Sequence, residues 1–205
     1  MKGNEKTIVA LMFTVLALGL TWTYYGPNIQ GYIAGAAVID VYFIDPPPTG
    51  HHEQLNYAYI LMNVSKFVWV PVEKGEKAVV ARDVDISLKL SANGLEFVKG
   101  YDNLFVVEGK YKALHIYVRN ITAYDENNEP ILYFNRTLPI KIVFDKPAEL
   151  VKGKEYNLFI DIYCTVSKGK TLIVTEHNIR GTIHANATLE DTSTGQNVAV
   201  GGTSG

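Results

Sequence analysis

A single cysteine, Cys164, stands among 205 residues, so the chain cannot close an internal disulfide. Its stability must come from packing, and the roughly 165 residues that follow the N-terminal segment are enough to bury a core. Charge is also sparse. Nineteen basic against 21 acidic residues leave a net charge of -2, and no run of Lys and Arg stands out. That argues against nucleic acid as a partner. No serine sits in a Gly-x-Ser-x-Gly elbow and no phosphate loop occurs, so nothing in the chain announces an enzyme. A long helical period is missing downstream of the first segment.

What is present begins at the N-terminus. Lys2 and Lys6 precede a stretch without one formal charge from Thr7 to Ile39, with its densest apolar part from Ile8 to Trp22. Basic residues upstream put the N-terminus in the cytoplasm and deliver the remainder across the membrane. The apolar run is short for a spanning helix and overlaps a signal peptide in length. The small-x-small site Ala34-Gly35-Ala36 lies far beyond it, and Trp22, Tyr24 and Tyr25 suit the headgroup level of a helix that stays. The reading is therefore a retained single-pass anchor over residues 1–25, with membrane lipid as its partner. A secreted form after signal cleavage is the alternative. A linker spans 26–37, a folded domain 38–190, and a small, polar, flexible tail 191–205.

Within 38–190 the period is two. Leu158, Ile160, Ile162 and Cys164 alternate with Phe159, Asp161 and Tyr163, and Ile183, Ala185, Ala187 and Leu189 alternate with His184, Asn186 and Thr188. Other runs are Val38–Ile44, Tyr57–Val70, Val84–Leu90, Leu114–Val118, Ile131–Phe134, Leu138–Phe144 and Leu172–Val174. Turn signals separate them, among them Glu108-Gly109-Lys110, Asp125–Pro130 and Lys152-Gly153. Many short, half-buried strands predict an all-β, antiparallel β-sandwich or barrel.

Several pieces, in order, resemble the secreted family catalogued as domain of unknown function 4382. They are Val41-Tyr42-Phe43-Ile44-Asp45-Pro46-Pro47, Tyr57–Val70, Gly109-Lys110-Tyr111 leading into a long strand, and Leu158-Phe159-Ile160-Asp161-Ile162. The resemblance covers most of Val38 to Leu189. It implies an exported, prealbumin-like (carbohydrate-binding-like) β-sandwich in bacteria or archaea, with no catalytic residues to carry over. Many such proteins look lipid-anchored through a cysteine after the signal. Cys164 cannot serve that role, which puts more weight on the N-terminal helix as anchor.

Four Asn-x-Ser/Thr sequons make Asn63, Asn120, Asn135 and Asn186 glycosylation candidates. Asn63 falls opposite the apolar set Ala58, Ile60, Met62, Val64 and Val68, and Asn186 falls on the polar face of its strand. Tyr57, Tyr59 and Trp69 share the face of Asn63 by parity, and are candidates for surface contact. Cross-strand pairs that merely stabilise the sheet are the plainer use of such aromatics. No metal site is expected. Cys164 has no His or Met at copper-site spacing and falls on the apolar face of its strand, where it packs as a small hydrophobe. His51-His52 lack a third ligand. Asp125-Glu126-Asn127-Asn128-Glu129 lacks calcium-loop spacing and reads as a hairpin connection. Asp83 and Asp85 are two apart, which does not by itself set carboxylates at glycosidase separation.

These features point to a non-catalytic binding or structural module at the cell surface, with a surface protein, a glycan or itself as partner, and no cofactor. A filament subunit is the alternative, its donor strand drawn from Asn28–Ala37 or Asn197–Val200. A surface glycan hydrolase is a third class without positive support.

Overall fold

A computed structural model describes residues 35–44, 57–76, 78–81, 84–91, 97–164, 172–173 and 183–203. The expected anchor, most of the linker, Asp83 and His51-His52 lie outside these residues. The described chain is all-β. It comprises β1 (Ala36–Ile44), β2 (Tyr59–Pro71), β3 (Val79–Ala81), β4 (Ile86–Ser91), β5 (Phe97–Val107), β6 (Gly109–Tyr124), β7 (Pro130–Phe134), β8 (Leu138–Leu150), β9 (Glu155–Cys164), β10 (Leu172–Ile173), β11 (Ile183–Asp191) and β12 (Gln196–Thr203).

All twelve strands join one sheet. Its main path runs β10-β7-β6-β8-β12-β11-β9-β1-β5, and β2 lies on the other side of β6, carrying β3 and β4 on its far edge. β5 in turn comes close to β3 and β4, so the sheet is nearly closed, like a barrel. Two pairings are parallel, β1 with β9 and β7 with β10, where an antiparallel sheet was expected. The first strand of the domain returns to pair with one near its end.

The sheet wraps one core. Ile39, Val41 and Phe43 of β1 and Leu158, Ile160 and Ile162 of β9 meet Leu114, Ile116 and Val118 of β6 there. Alternation puts every second residue inside, as period two requires. It changes phase where an extra residue enters a strand, as in β2 and β6. In β2, Ile60, Met62 and Val64 are buried, Ser65 and Lys66 are both half-buried, and the inward set resumes as Phe67, Trp69 and Pro71. Pairing with β6 shifts register between Val64 and Lys66. In β6, Val118 and Ile121 point inward across exposed Arg119 and Asn120. Asn120 has φ 54°, the left-handed region that asparagine tolerates better than most residues. Each extra residue hands the following side chains to the opposite face.

Residues 196–203 of the expected flexible tail are strand β12, paired with β11 along its length and with β8 at Ile142–Phe144. The reason it escapes a sequence reading is Gly201-Gly202. A Cβ on Gly201 would collide with the Val143 backbone, and one on Gly202 would meet Asn186 Oδ1 at 2.8 Å. Close approach of two backbones demands glycine at Gly201, and glycine erases the alternation. The filament donors meet the same fact: Ala36 and Ala37 belong to β1, and Asn197–Val200 to β12, each paired within the chain.

Candidate contact faces

The phase change in β2 decides where Trp69 lies. Trp69 is fully buried, and Tyr57 is 4% exposed. Both were expected outside with Tyr59. The count fails for Trp69 because it runs through Ser65-Lys66 as if the strand were regular, and for Tyr57 because that residue precedes β2, where strand parity does not apply. Trp69 instead lies edge-on to Tyr111 (5.6 Å between centroids) and stacks with Phe144 (6.1 Å). Its indole N–H has no hydrogen-bond partner. Tyr59 alone of the three stays half-exposed. It stacks on Tyr124 at 4.9 Å, takes Lys89 Nζ over its ring at 4.3 Å, and donates its hydroxyl to Asn128 Oδ1 at 3.1 Å. Tyr117 is likewise covered by Lys66 Nζ at 4.0 Å, and Tyr163 stacks on His184 at 5.3 Å. Outward rings here are held by neighbours on adjacent strands, the stabilising use of a cross-strand pair.

The sequons divide. Asn120, Asn135 and Asn186 are exposed and Asn63 is half-buried. Asn120 sits on the β6 bulge and Asn135 in the β7–β8 turn. Because Ile121 pairs with Phe134, the two asparagines lie side by side where β6 passes from β8 to β7. Asn186 is in mid-strand and donates to Asp161 Oδ2 at 3.4 Å. Asn63 lies between Ser87 of β4 and Arg119 of β6, and the Ser65 hydroxyl of its sequon donates to the Tyr117 carbonyl at 3.1 Å.

The acidic stretch after β6 is a hairpin connection. Asp125 Oδ1 accepts the backbone N–H groups of Asn127 (2.9 Å) and Glu129 (2.8 Å), and Asn128 takes φ 61°. Asp85 faces Arg119 Nη2 at 3.3 Å in an exposed pair. Among the described residues no three His, Cys, Asp or Glu side chains gather to hold a metal. Cys164 ends β9 opposite Ile183, and its side chain lies outside what is described.

Charges on the outer face of β4, β2, β6 and β8 were not visible as a group in the sequence. His115 of β6 lies opposite Val68 and Lys141, and burial, then the Lys141 charge, lowers its pKa below the usual imidazole value. Elsewhere, Asp191 ends β11 almost buried. Lys154 Nζ reaches its Oδ2 at 2.8 Å, and its Oδ1 accepts both the hydroxyl and the backbone N–H of Ser193. The Lys154 hydrogen bond, then those from Ser193, hold its carboxyl at about 2. This clamp ties the β8–β9 turn to the β11–β12 turn.

Compared with family models, with curated proteins and with solved structures, the chain matches none.

Proposed function

We propose that the chain is a non-catalytic module displayed outside the cell, held by residues 1–25 with the N-terminus inside, and working by binding or by building surface structure. The observation that carries this reading is the exposure of Asn120, Asn135 and Asn186, where an attached glycan would have room in solvent. The charge-free stretch from Thr7 to Ile39 supports export. The finer architecture we favour is the prealbumin-like sandwich of the domain of unknown function 4382 resemblance. One layer is β4, β2, β6 and β8, and the other is β12, β11, β9, β1 and β5. The short join of β12 to β8, three residue pairs long, supports such a division.

Proteolysis of intact cells, followed by intact mass before and after glycan removal, tests the reading. Cleavage of the domain from outside and a mass loss on deglycosylation are expected. A domain protected in intact cells and unchanged in mass would remove both supports. Peptides joining Met1–Lys6 to the domain in membrane extracts are expected for a retained anchor, whereas a mature terminus near Ala37 would replace it with a cleaved signal.

A further inference from the structure

The sheet gathers cations that are scattered along the chain. Lys89 of β4 lies beside Leu61, and Arg119 of β6 lies opposite Asn63. Lys66 of β2 is opposite Tyr117, and Val68, His115 and Lys141 form the next row. Lys66, Lys89, His115, Arg119 and Lys141 face outward from the core on four neighbouring strands, while Val68 in the same rows is covered. Strand spacing makes the track about 14 Å wide from β4 to β8, and the residues from Leu61 to Val68 make it about 20 Å long. Lys66, Lys89, Arg119 and Lys141 less the Asp85 carboxylate leave +3 on these rows, on a chain whose net charge is -2. None of the three lysines has an acidic partner among the described residues. Lys66 and Lys89 are instead held over tyrosine rings, which fixes where their ammonium groups stand.

We infer that this outer face docks an acidic polysaccharide through the ammonium groups of Lys66, Lys89 and Lys141. The inference rests on the displayed-module reading, which places the face among extracellular polymers. Charge complementarity calls for a polyanion, because an excess of one sign on a flat face attracts the other along its length. The rings decide which kind. Binding of single-stranded nucleic acid relies on aromatic faces open to a base. Tyr59 is faced by Tyr124 and by Lys89, and Tyr117 is covered by Lys66. A uronate or sulfate polymer needs only the cations. Asn63 stands in the middle of the track, so the inference also requires that face of Asn63 to stay free of glycan.

The test uses the domain with its N-terminal segment in detergent, and polygalacturonate as the probe. Retention at about 50 mM salt that falls steeply by about 300 mM is expected, since exposed charges are screened over that range. Lys66→Gln, Lys89→Gln and Lys141→Gln together should weaken it about tenfold or more, with unchanged thermal midpoint. Lys110→Gln with Lys146→Gln, two exposed lysines off the rows, should leave it within twofold. Equal retention of the triple variant and the parent would overturn the inference, as would equal binding to a neutral glucan. Tighter binding of single-stranded DNA or of anionic vesicles than of polygalacturonate would overturn it too, in favour of those partners. A glycan found at Asn63 in the native protein would also overturn it. If cell proteolysis places the domain inside while the track still binds, the display reading fails and the anion surface stands. If the domain is outside and the track binds nothing, only the polysaccharide inference fails.

Discussion

β9 and β11 pair over nine consecutive residues, Cys164 with Ile183 through Tyr156 with Asp191, without one shift of register. β2 and β6 share a longer ladder, and it slips three times. The chemistry of the two pairs is alike, with apolar residues alternating with polar ones. In the regular pair, alternation names the core-facing set, and Asp161 is the one residue of the opposite set that is also buried. In the bulged pair the same count holds up to Val64 and then inverts, so that the largest aromatic of the strand passes from one face to the other. A bulge is thus a change of sign in the pattern, and its position matters more than the composition around it.

Substitution of the residue that the bulge turns inward should hurt most. Trp69→Ala is expected to cost about 3–5 kcal/mol, as for a large buried aromatic. For a domain of this size that lowers the thermal midpoint by about 10 °C or more in calorimetry. Trp69→Phe should cost much less, because the lost N–H has no partner to leave behind. A surface-like change below about 0.5 kcal/mol in Trp69→Ala would return Trp69 to the outside and make β2 as regular as β9.

Next is the glycine contact. Gly201→Ala is expected to destabilise by about 1–3 kcal/mol, because the β8 backbone must shift to admit the methyl group. Hydrogen exchange should quicken first at Ile142–Phe144 and Gly201–Thr203. Uniform exchange across all strands would mean that the β12–β8 join does not hold the two regions together.

The turn clamp should give a smaller effect with a pH signature. Asp191→Ala is expected to cost about 1–2 kcal/mol at neutral pH, the scale of charge-assisted hydrogen bonds. The folded carboxyl lies at about 2, below its ordinary 3.8, so its contribution is fully present above 3.8 and disappears as pH falls through about 2. Denaturant titrations of parent and variant should therefore converge between pH 4 and pH 2, and a constant gap across that window would remove the ion pair as the cause. His115 adds the same sign near neutrality: its lowered pKa weakens the fold as pH drops below the ordinary imidazole value.

Smallest is Tyr59→Ala, which removes one stacked, half-exposed ring and should cost about 1 kcal/mol or less. Polygalacturonate retention should fall only slightly, since the ring positions Lys89 and makes no contact of its own. Loss of binding larger than that of Lys89→Gln would make Tyr59 a direct contact.

The sequence carried most of the strands because half-buried sheets write their period into it. β9, β11 and the first half of β2 follow the pattern residue by residue. β5 escaped because Gly100 and the bulge at Asp102-Asn103 interrupt its alternation; there Asp40 Oδ1 accepts the Asn103 N–H at 2.9 Å and two residues oppose one. β12 escaped because its packing selects glycine. The cationic track was illegible for another reason: Lys66, Lys89, Arg119 and Lys141 lie far apart in the chain, and only strand pairing makes them neighbours. The parallel β1–β9 ladder is invisible to local pattern, since it joins segments more than a hundred residues apart.

That ladder has a mechanical meaning. β1 is gripped on one edge by β5 and on the other by β9, and the Gly153 N–H reaches the Ala36 carbonyl at its start. A pull delivered through the residues before Gly35 runs along the strand axis, across hydrogen bonds that lie transverse to it. Both ladders then resist together in shear, where peeling an edge strand would break one bond at a time. A tether entering the domain here would load its strongest direction, and β1 would be among the last strands to give way.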